Sequence, residues 1–256
     1  MEEYILQTEA LCKDFIGLRA IDHLDIAVRK GDIHGLIGPN GSGKSTFFNV
    51  VSGVLSSTLG KIIFDSTDIT EYKPHVIARM GMCRTFQTGK LAPDLSVLEN
   101  VMTGAHSCTK NDLLGTFLRT PFTTSRQEKQ IKKMALEYLE LVGLMERADN
   151  FAGDLVWVER QLIQIARAMV AKPKLLLMDE PTGGMGEEES IKVDNIIQKI
   201  RDELGTTIIV VAHDMRLVIG ISDIITCINF GRKICEGTPE EVQNNPDVLE
   251  AYLGKE

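Results

Sequence analysis

The amino-acid sequence predicts an α/β fold whose parallel sheet presents a phosphate-binding loop. Three observations predict it. Gly38-Pro39-Asn40-Gly41-Ser42-Gly43-Lys44-Ser45-Thr46 fits the pattern Gly, four residues, Gly-Lys-Ser/Thr. Residues 174–180 (KLLLMDE) and 206–212 (TTIIVVA) carry the unbroken apolar character of strands covered on both faces of a parallel sheet. Between the loop and those strands, residues 90–153 read as a helical insertion, with Ile131, Met134, Ala135, Tyr138, Leu141 and Val142 recurring at helical spacing.

Each residue type in the loop has a physical role. The glycines let the backbone turn and approach a phosphate with no Cβ in the way. Successive amide N–H groups then point into one concavity that holds anionic oxygens. Lys44 adds a point charge for the terminal phosphates, and the Ser45 hydroxyl is a magnesium ligand candidate. The context agrees: residues 32–37 (DIHGLI) read as a strand leading in. Residues 45–52 (STFFNVVS) read as a helix whose N-terminal dipole faces the phosphates.

Taken in order, residues 4–10 form a short, mixed segment expected as an edge strand, and Phe15 follows in a turn-like setting. Residues 26–28 and 32–37 are strands on either side of the Lys30-Gly31 turn. Residues 60–64 (GKIIF) form another strand. Pro74 opens a short helix to residue 79, as proline does at a first helical position. Residues 82–85 are strand-like and end at Phe86-Gln87. Residues 95–101 are expected as a short capped helix, and 107–125 as a less regular stretch. The α/β pattern resumes with a helix over 159–171, the strand into Asp179-Glu180, a helix over 187–201 and the strand over 206–212. A helix over 215–221, strands over 224–229 and 233–236, and two short helices complete the chain.

Composition narrows the function. With 256 residues, 43% hydrophobic and 25% charged, the chain supports a substantial core in one large domain. A net charge of −8 leaves no basic footprint and argues against a nucleic-acid partner. Cys12, Cys83, Cys108, Cys227 and Cys235 form no C-x-x-C pair and no metal-ligand spacing, which suits a reducing compartment. The start MEEYILQTEA has no apolar signal core. No apolar run reaches bilayer length, so a membrane role is expected only through a partner.

The chemistry is expected where the apolar strand ends in Asp179-Glu180. Opposite a phosphate loop, Asp179 would hold magnesium, directly or through water, and Glu180 would polarise the water that attacks the terminal phosphate. Asp179 lies far downstream of Lys44, beyond the helical insertion, whereas simple nucleotide kinases and small GTPases usually reach their metal aspartate sooner. With the phosphate loop, LLLMDEP, Gln87 in RTFQ and His213 in VVAHD, the chain resembles the ATP-binding subunit of an ABC transporter over essentially its whole length. The resemblance implies a P-loop NTPase core of the ABC ATPase type with a helical subdomain and an N-terminal antiparallel β subdomain. It sets one domain over 1–256, with core residues 1–89 and 154–256 and the insertion at 90–153. It implies that Phe15 stacks on adenine, that Gln87 senses metal and water, and that His213 contacts the γ-phosphate. Residues 38–46 would hold ATP, with Ser45, Gln87 and Asp179 around Mg2+ and Lys44, Glu180 and His213 in catalysis.

GPNGSGKSTFFNVVSG, LLGTFLRTPF, HDMRLVIGISD and GTPEEVQNNPDVLEAYLG are similar to the subgroup that serves branched-chain amino acid importers. The resemblance implies two permease subunits, a second ATPase subunit, indirectly an extracytoplasmic solute-binding protein, and a peripheral place on the cytoplasmic face of the membrane. Two departures stand out. Where the family carries LSGGQ, this chain has Leu155-Val156-Trp157-Val158-Glu159. Val156 supplies no hydroxyl, and Val158 puts a branched side chain where glycine permits close approach. Gly186 stands where the family usually has Asp or Asn. The expectation is an asymmetric pair of ATP sites formed with a different, homologous ATPase chain. The alternatives are a soluble, non-transport ABC ATPase linked to ribosomes or DNA, and a regulatory ATP-binding subunit with little hydrolysis.

Overall fold

The computed structural model of the chain describes residues 3–85, 91–107, 121–212 and 215–253. They divide into two compact units, residues 1–87 with 174–256, and residues 88–173.

The first unit holds two sheets. Strand β1 (Tyr4–Phe15) pairs antiparallel with β2 (Leu18–Leu24) and β3 (Ala27–Arg29) on one side and with β5 (Leu59–Phe64) on the other. A short β6 (Thr67–Asp68) closes the hairpin with β5. Residues 4–10 are therefore not an edge strand. Ile5, Leu6 and Leu11 are fully buried, so the apolar content of the segment covers a shared core, and both edges find partners. Phe15 is the last residue of β1 rather than part of a turn.

The second sheet runs β11 (Arg232–Gly237), β10 (Ile224–Asn229), β4 (Ile33–Ile37), β9 (Thr207–Val211), β8 (Leu175–Asp179), β7 (Met82–Arg84). All its pairs are parallel except β10 with β11. Every residue of β4, β8 and β9 is buried, as strands covered on both faces require. Phe47 and Phe48 of helix α1 (Lys44–Val51) fill one core with Ile5, Leu6, Phe64, Leu177 and Val211. The remaining helices of this unit are α2 (Pro74–Met80), α6 (Glu187–Leu204), α7 (Met215–Ile221), α8 (Pro239–Gln243) and α9 (Pro246–Leu253). Helix α6 buries Val193, Ile197 and Ile200, the i, i+4, i+7 stripe of an amphipathic helix.

The second unit packs α3 (Val97–Met102), α4 (Pro121–Leu141) and α5 (Trp157–Met169). The Ser96 hydroxyl accepts from Glu99 N–H while the Glu99 carboxylate accepts from Ser96 N–H, a complete capping box that fixes where α3 starts. The buried Asn100 amide donates to the Ala92 and Ser96 carbonyls and accepts from Ala92 N–H. A Cβ on Gly104 would stand 1.8 Å from the Arg167 carbonyl oxygen, so glycine sets how closely α5 packs there. Two outcomes differ from the sequence reading. Helix already begins at Pro121, within the stretch expected to be less regular. Helix α5, placed with the core when the boundary is drawn at 153, groups with the helical unit. Its buried stripe of Leu162, Ile163, Ile165, Ala166 and Met169 packs on α3 and α4.

Candidate functional site

The buried strand β4 delivers the chain into the phosphate loop, and tertiary contacts hold the loop open. Gly38 has φ +151, and a Cβ there would meet the Ile228 carbonyl oxygen at 2.1 Å. Gly43 has φ +109, and its Cβ would meet the Ala20 carbonyl oxygen at 2.6 Å. Neither position admits a side chain without moving backbone. The loop is stitched to its surroundings by Gly231 N–H donating to the Ser42 carbonyl (2.9 Å). Gly38 N–H donates to the Tyr252 hydroxyl on α9 (2.8 Å). Helix α1 opens with Gly43 as N-cap, no side-chain cap and no acid in its first turn. Its first amides therefore keep their N–H groups for an anion, at the positive end of the helix dipole.

Lys44 is buried, and its ammonium donates to the carbonyls of Gly38 (2.6 Å) and Pro39 (3.0 Å). Burial pushes it below the ordinary lysine value, and Glu180, Cys227 and Asp179 push back. The two acids that end β8 thus lie within electrostatic reach of the phosphate-loop lysine. Asp179 is buried, and its Oδ2 accepts from Arg84 Nη2 at 2.8 Å. Its Oδ1 has no hydrogen-bond partner among the described residues. A buried carboxylate oxygen without a donor and the exposed Ser45 hydroxyl of the phosphate loop are the hard oxygen chemistry that suits magnesium. Glu180 has φ +51, an unfavourable region for a residue with a side chain. Its N–H donates to Val211 O, and its carbonyl accepts from Gly183 N–H. The strand end is thereby turned so that the glutamate leaves the sheet. Strain of this kind persists where surrounding bonds enforce it, and it clusters at functional sites.

Phe15 ends β1 with its ring 44% exposed and Lys13 Nζ 5.2 Å from the centroid. The returning strand β2 passes the loop at Ala20, so the hairpin tip with Phe15 and the phosphate loop belong to one surface region. Gln87 and His213, expected near the phosphates, lie outside the described residues. In the helical unit, α5 starts at Val156, whose side chain offers no acceptor and is 59% exposed. Glu159 accepts from Val156 N–H (3.2 Å), so half a capping box stands complete. In the first unit, the start of α6 repeats the pattern: Gly186 is the N-cap without a side chain, and Glu189 accepts from its N–H (3.2 Å). Each departure from the family pattern includes an N-cap, Val156 in one and Gly186 in the other. Sequence reasoning missed Arg84 and Tyr252, which sit in segments read as strand and terminal helix. Arg84 carries no sequence signal, because its pairing with Asp179 depends on β7 lying beside β8 in the sheet.

The family described as ABC transporter matches residues 21–183. This chain is an ATP-binding cassette of the ABC transporter family. The cassette also matches, over residues 232–256, a family described as branched-chain amino acid ATP-binding cassette transporter. It is 38% identical, over the whole of both chains, to the high-affinity branched-chain amino acid transport ATP-binding protein LivG of Salmonella typhimurium. It is 36% identical, again over the whole of both, to the corresponding protein BraF of Pseudomonas aeruginosa. Among solved structures, it resembles an ATP-binding cassette of an ABC transporter in its ADP conformation, with a TM-score of 0.86, 32% identity and full coverage of both chains. A nucleotide-free cassette gives a TM-score of 0.85 and 33% identity, also with full coverage of both. As an ABC ATPase, the cassette binds nucleotide and hydrolyses ATP.

Proposed function

We propose that this cassette energises inward transport of branched-chain or related amino acids by binding and hydrolysing ATP with magnesium at the phosphate loop. The observation that carries the reading is the convergence of the Gly38–Thr46 loop, the α1 N-terminus, Lys44, Asp179 and Glu180. Magnesium, when bound, would neutralise charge on the phosphates. This chain's own residues do the rest. Loop amides and Lys44 hold the phosphate oxygens, Ser45 and the open oxygen of Asp179 supply metal ligands, and Phe15 offers a face for adenine. Glu180 accepts a proton from the attacking water. Gln87 and His213 remain assigned to metal sensing and to the γ-phosphate by resemblance. The names of the LivG and BraF relatives support the cargo class. Among the described residues, no helix is long and apolar enough to cross a membrane; in this reading the subunit is peripheral and works through permease partners on the cytoplasmic face. In this reading residues 1–87 with 174–256 hold the nucleotide, and residues 88–173 carry motion to the permeases.

The two ATP sites are unequal. This chain's own loop is complete, whereas the loop it offers to a partner ATPase begins at Val156 with no hydroxyl to present. Hydrolysis therefore falls mainly on the site built on Lys44, Asp179 and Glu180. The test is the assembled transporter with Glu180→Gln here, or the equivalent change in the partner chain, each measured for ATP turnover and amino acid uptake. Glu180→Gln is expected to abolish most turnover and the partner change much less. Equal losses would refute the asymmetry. Uptake that is indifferent to both would refute the transport reading.

A further inference from the structure

The Arg84 guanidinium is held inside the first unit. Nη2 donates to Asp179 Oδ2 at 2.8 Å, and Nη1 donates to Asn49 Oδ1 of α1 at 2.6 Å. The guanidinium carbon stands 5.4 Å from the centroid of the Phe48 ring. The two charged side chains are 11% and 4% exposed. A charge so poorly solvated is tolerated only when it is paired. Arg84 therefore ties three parts of the nucleotide machinery together: the strand β7, the helix that follows the phosphate loop, and the carboxylate that ends β8. It also leaves the carboxylate asymmetric, with Oδ2 committed to the guanidinium and Oδ1 unbonded among the described residues.

We propose that Arg84 is the resident counter-charge of Asp179, a positioning residue that keeps the carboxylate aimed without metal and competes with magnesium for it. The inference rests on the reading of Asp179 as a metal ligand. The argument is one of linkage. With Arg84 in place, Asp179 is already compensated, so a divalent cation gains less by arriving. The cation also meets a fixed positive charge on the far side of the carboxylate. Without Arg84, the buried carboxylate loses its hydrogen-bonded cation, and an arriving divalent cation compensates more of its charge, beside the field of Lys44. The pair thus lowers metal affinity while fixing geometry. That suits a site that must release its metal and nucleotide product in every cycle. The planar fork matters because it holds Asn49 and Asp179 at once, which the single ammonium of lysine does not reproduce.

The test uses the full chain saturated with ADP and titrated with Mn2+ as the metal probe, with bound ion read by electron paramagnetic resonance. Arg84→Met keeps the bulk against Phe48 and removes the charge. It is expected to bind Mn2+ about tenfold more tightly than wild type. Arg84→Lys, which keeps the charge, is expected to stay close to wild type. In an Asp179→Asn background, the Arg84→Met effect is expected to vanish, since the competition has lost its object. If Arg84→Met does not fold, Arg84→Gln carries the same comparison. Unchanged or weakened Mn2+ binding in the folded neutral variant overturns the proposal, as does a tightening that survives Asp179→Asn. Wild-type protein that binds ADP but shows no Mn2+ dependence on Asp179 overturns the metal-ligand reading instead.

Discussion

Acid is expected to weaken this protein through one histidine. His34 is the second residue of β4, three residues before the strand reaches Ile37 and the phosphate loop, and is 1% exposed. Its Nε2 is 2.8 Å from the Thr226 hydroxyl, which in turn donates to Glu236 Oε2 at 2.8 Å. The threonine has one proton and gives it to the carboxylate, so it accepts from His34, and the imidazole is the neutral Nε2–H tautomer. Burial lowers the His34 pKa to about 4, with Glu236 raising it and Lys233 lowering it. In the unfolded chain the group titrates near 6.5. A base whose folded pKa is depressed contributes stability that is present above pH 6.5 and is lost as pH falls toward 4, because the unfolded chain takes the proton first. The gap corresponds to about 3 kcal/mol in full, of which about 2 kcal/mol is gone by pH 5. His34→Gln keeps an N–H donor for Thr226 and cannot titrate. Urea unfolding of both proteins at pH 7.5 and pH 5, followed by far-ultraviolet circular dichroism, isolates the histidine as a difference of differences. The wild type is expected to lose about 2 kcal/mol more than the variant. Hydrogen exchange in β4 and β10 peptides should rise over the same window in the wild type alone. Parallel pH dependence in the two proteins would refute the buried neutral imidazole.

Three further outcomes follow from the same geometry. Val156→Ser supplies the missing acceptor at the start of α5, where Glu159 already bonds the N-cap N–H. It is expected to stabilise the helical unit by about 1 kcal/mol in thermal unfolding and to raise hydrolysis at the partner's site. Tyr252→Phe leaves the Gly38 N–H without its acceptor. It is expected to cost about 1–3 kcal/mol and to raise the KM for ATP with kcat little changed; a fall in kcat alone would contradict a role at the loop entrance. Gly38→Ala forces a Cβ into the Ile228 carbonyl and should abolish binding of a fluorescent ATP analogue in protein whose helical unit still shows native hydrogen-exchange protection.

The sequence by itself determined where the phosphate loop stands and which strands are buried. A phosphate loop needs glycine, lysine and serine at fixed spacing, because the ligand's dimensions are fixed. Strands β8 and β9 show continuous apolarity because both their faces are covered. Such local requirements survive in one dimension. The structure alone decided the neighbours. The first strand pairs on both edges, which its mixed composition conceals because partners close by in space lie as far away in sequence as Phe64 is from Leu6. Helix α5 joins the helical unit because its apolar stripe packs on α3 and α4, although the buried strand β8 follows it closely in the chain. The guanidinium of Arg84 reaches Asp179 across 95 positions, and the hydroxyl of Tyr252 reaches Gly38 across 214. No periodicity marks either one, since an isolated arginine or tyrosine in sequence carries no address. Their roles come from burial, which makes an unpaired charge or amide costly and therefore fixes the partner.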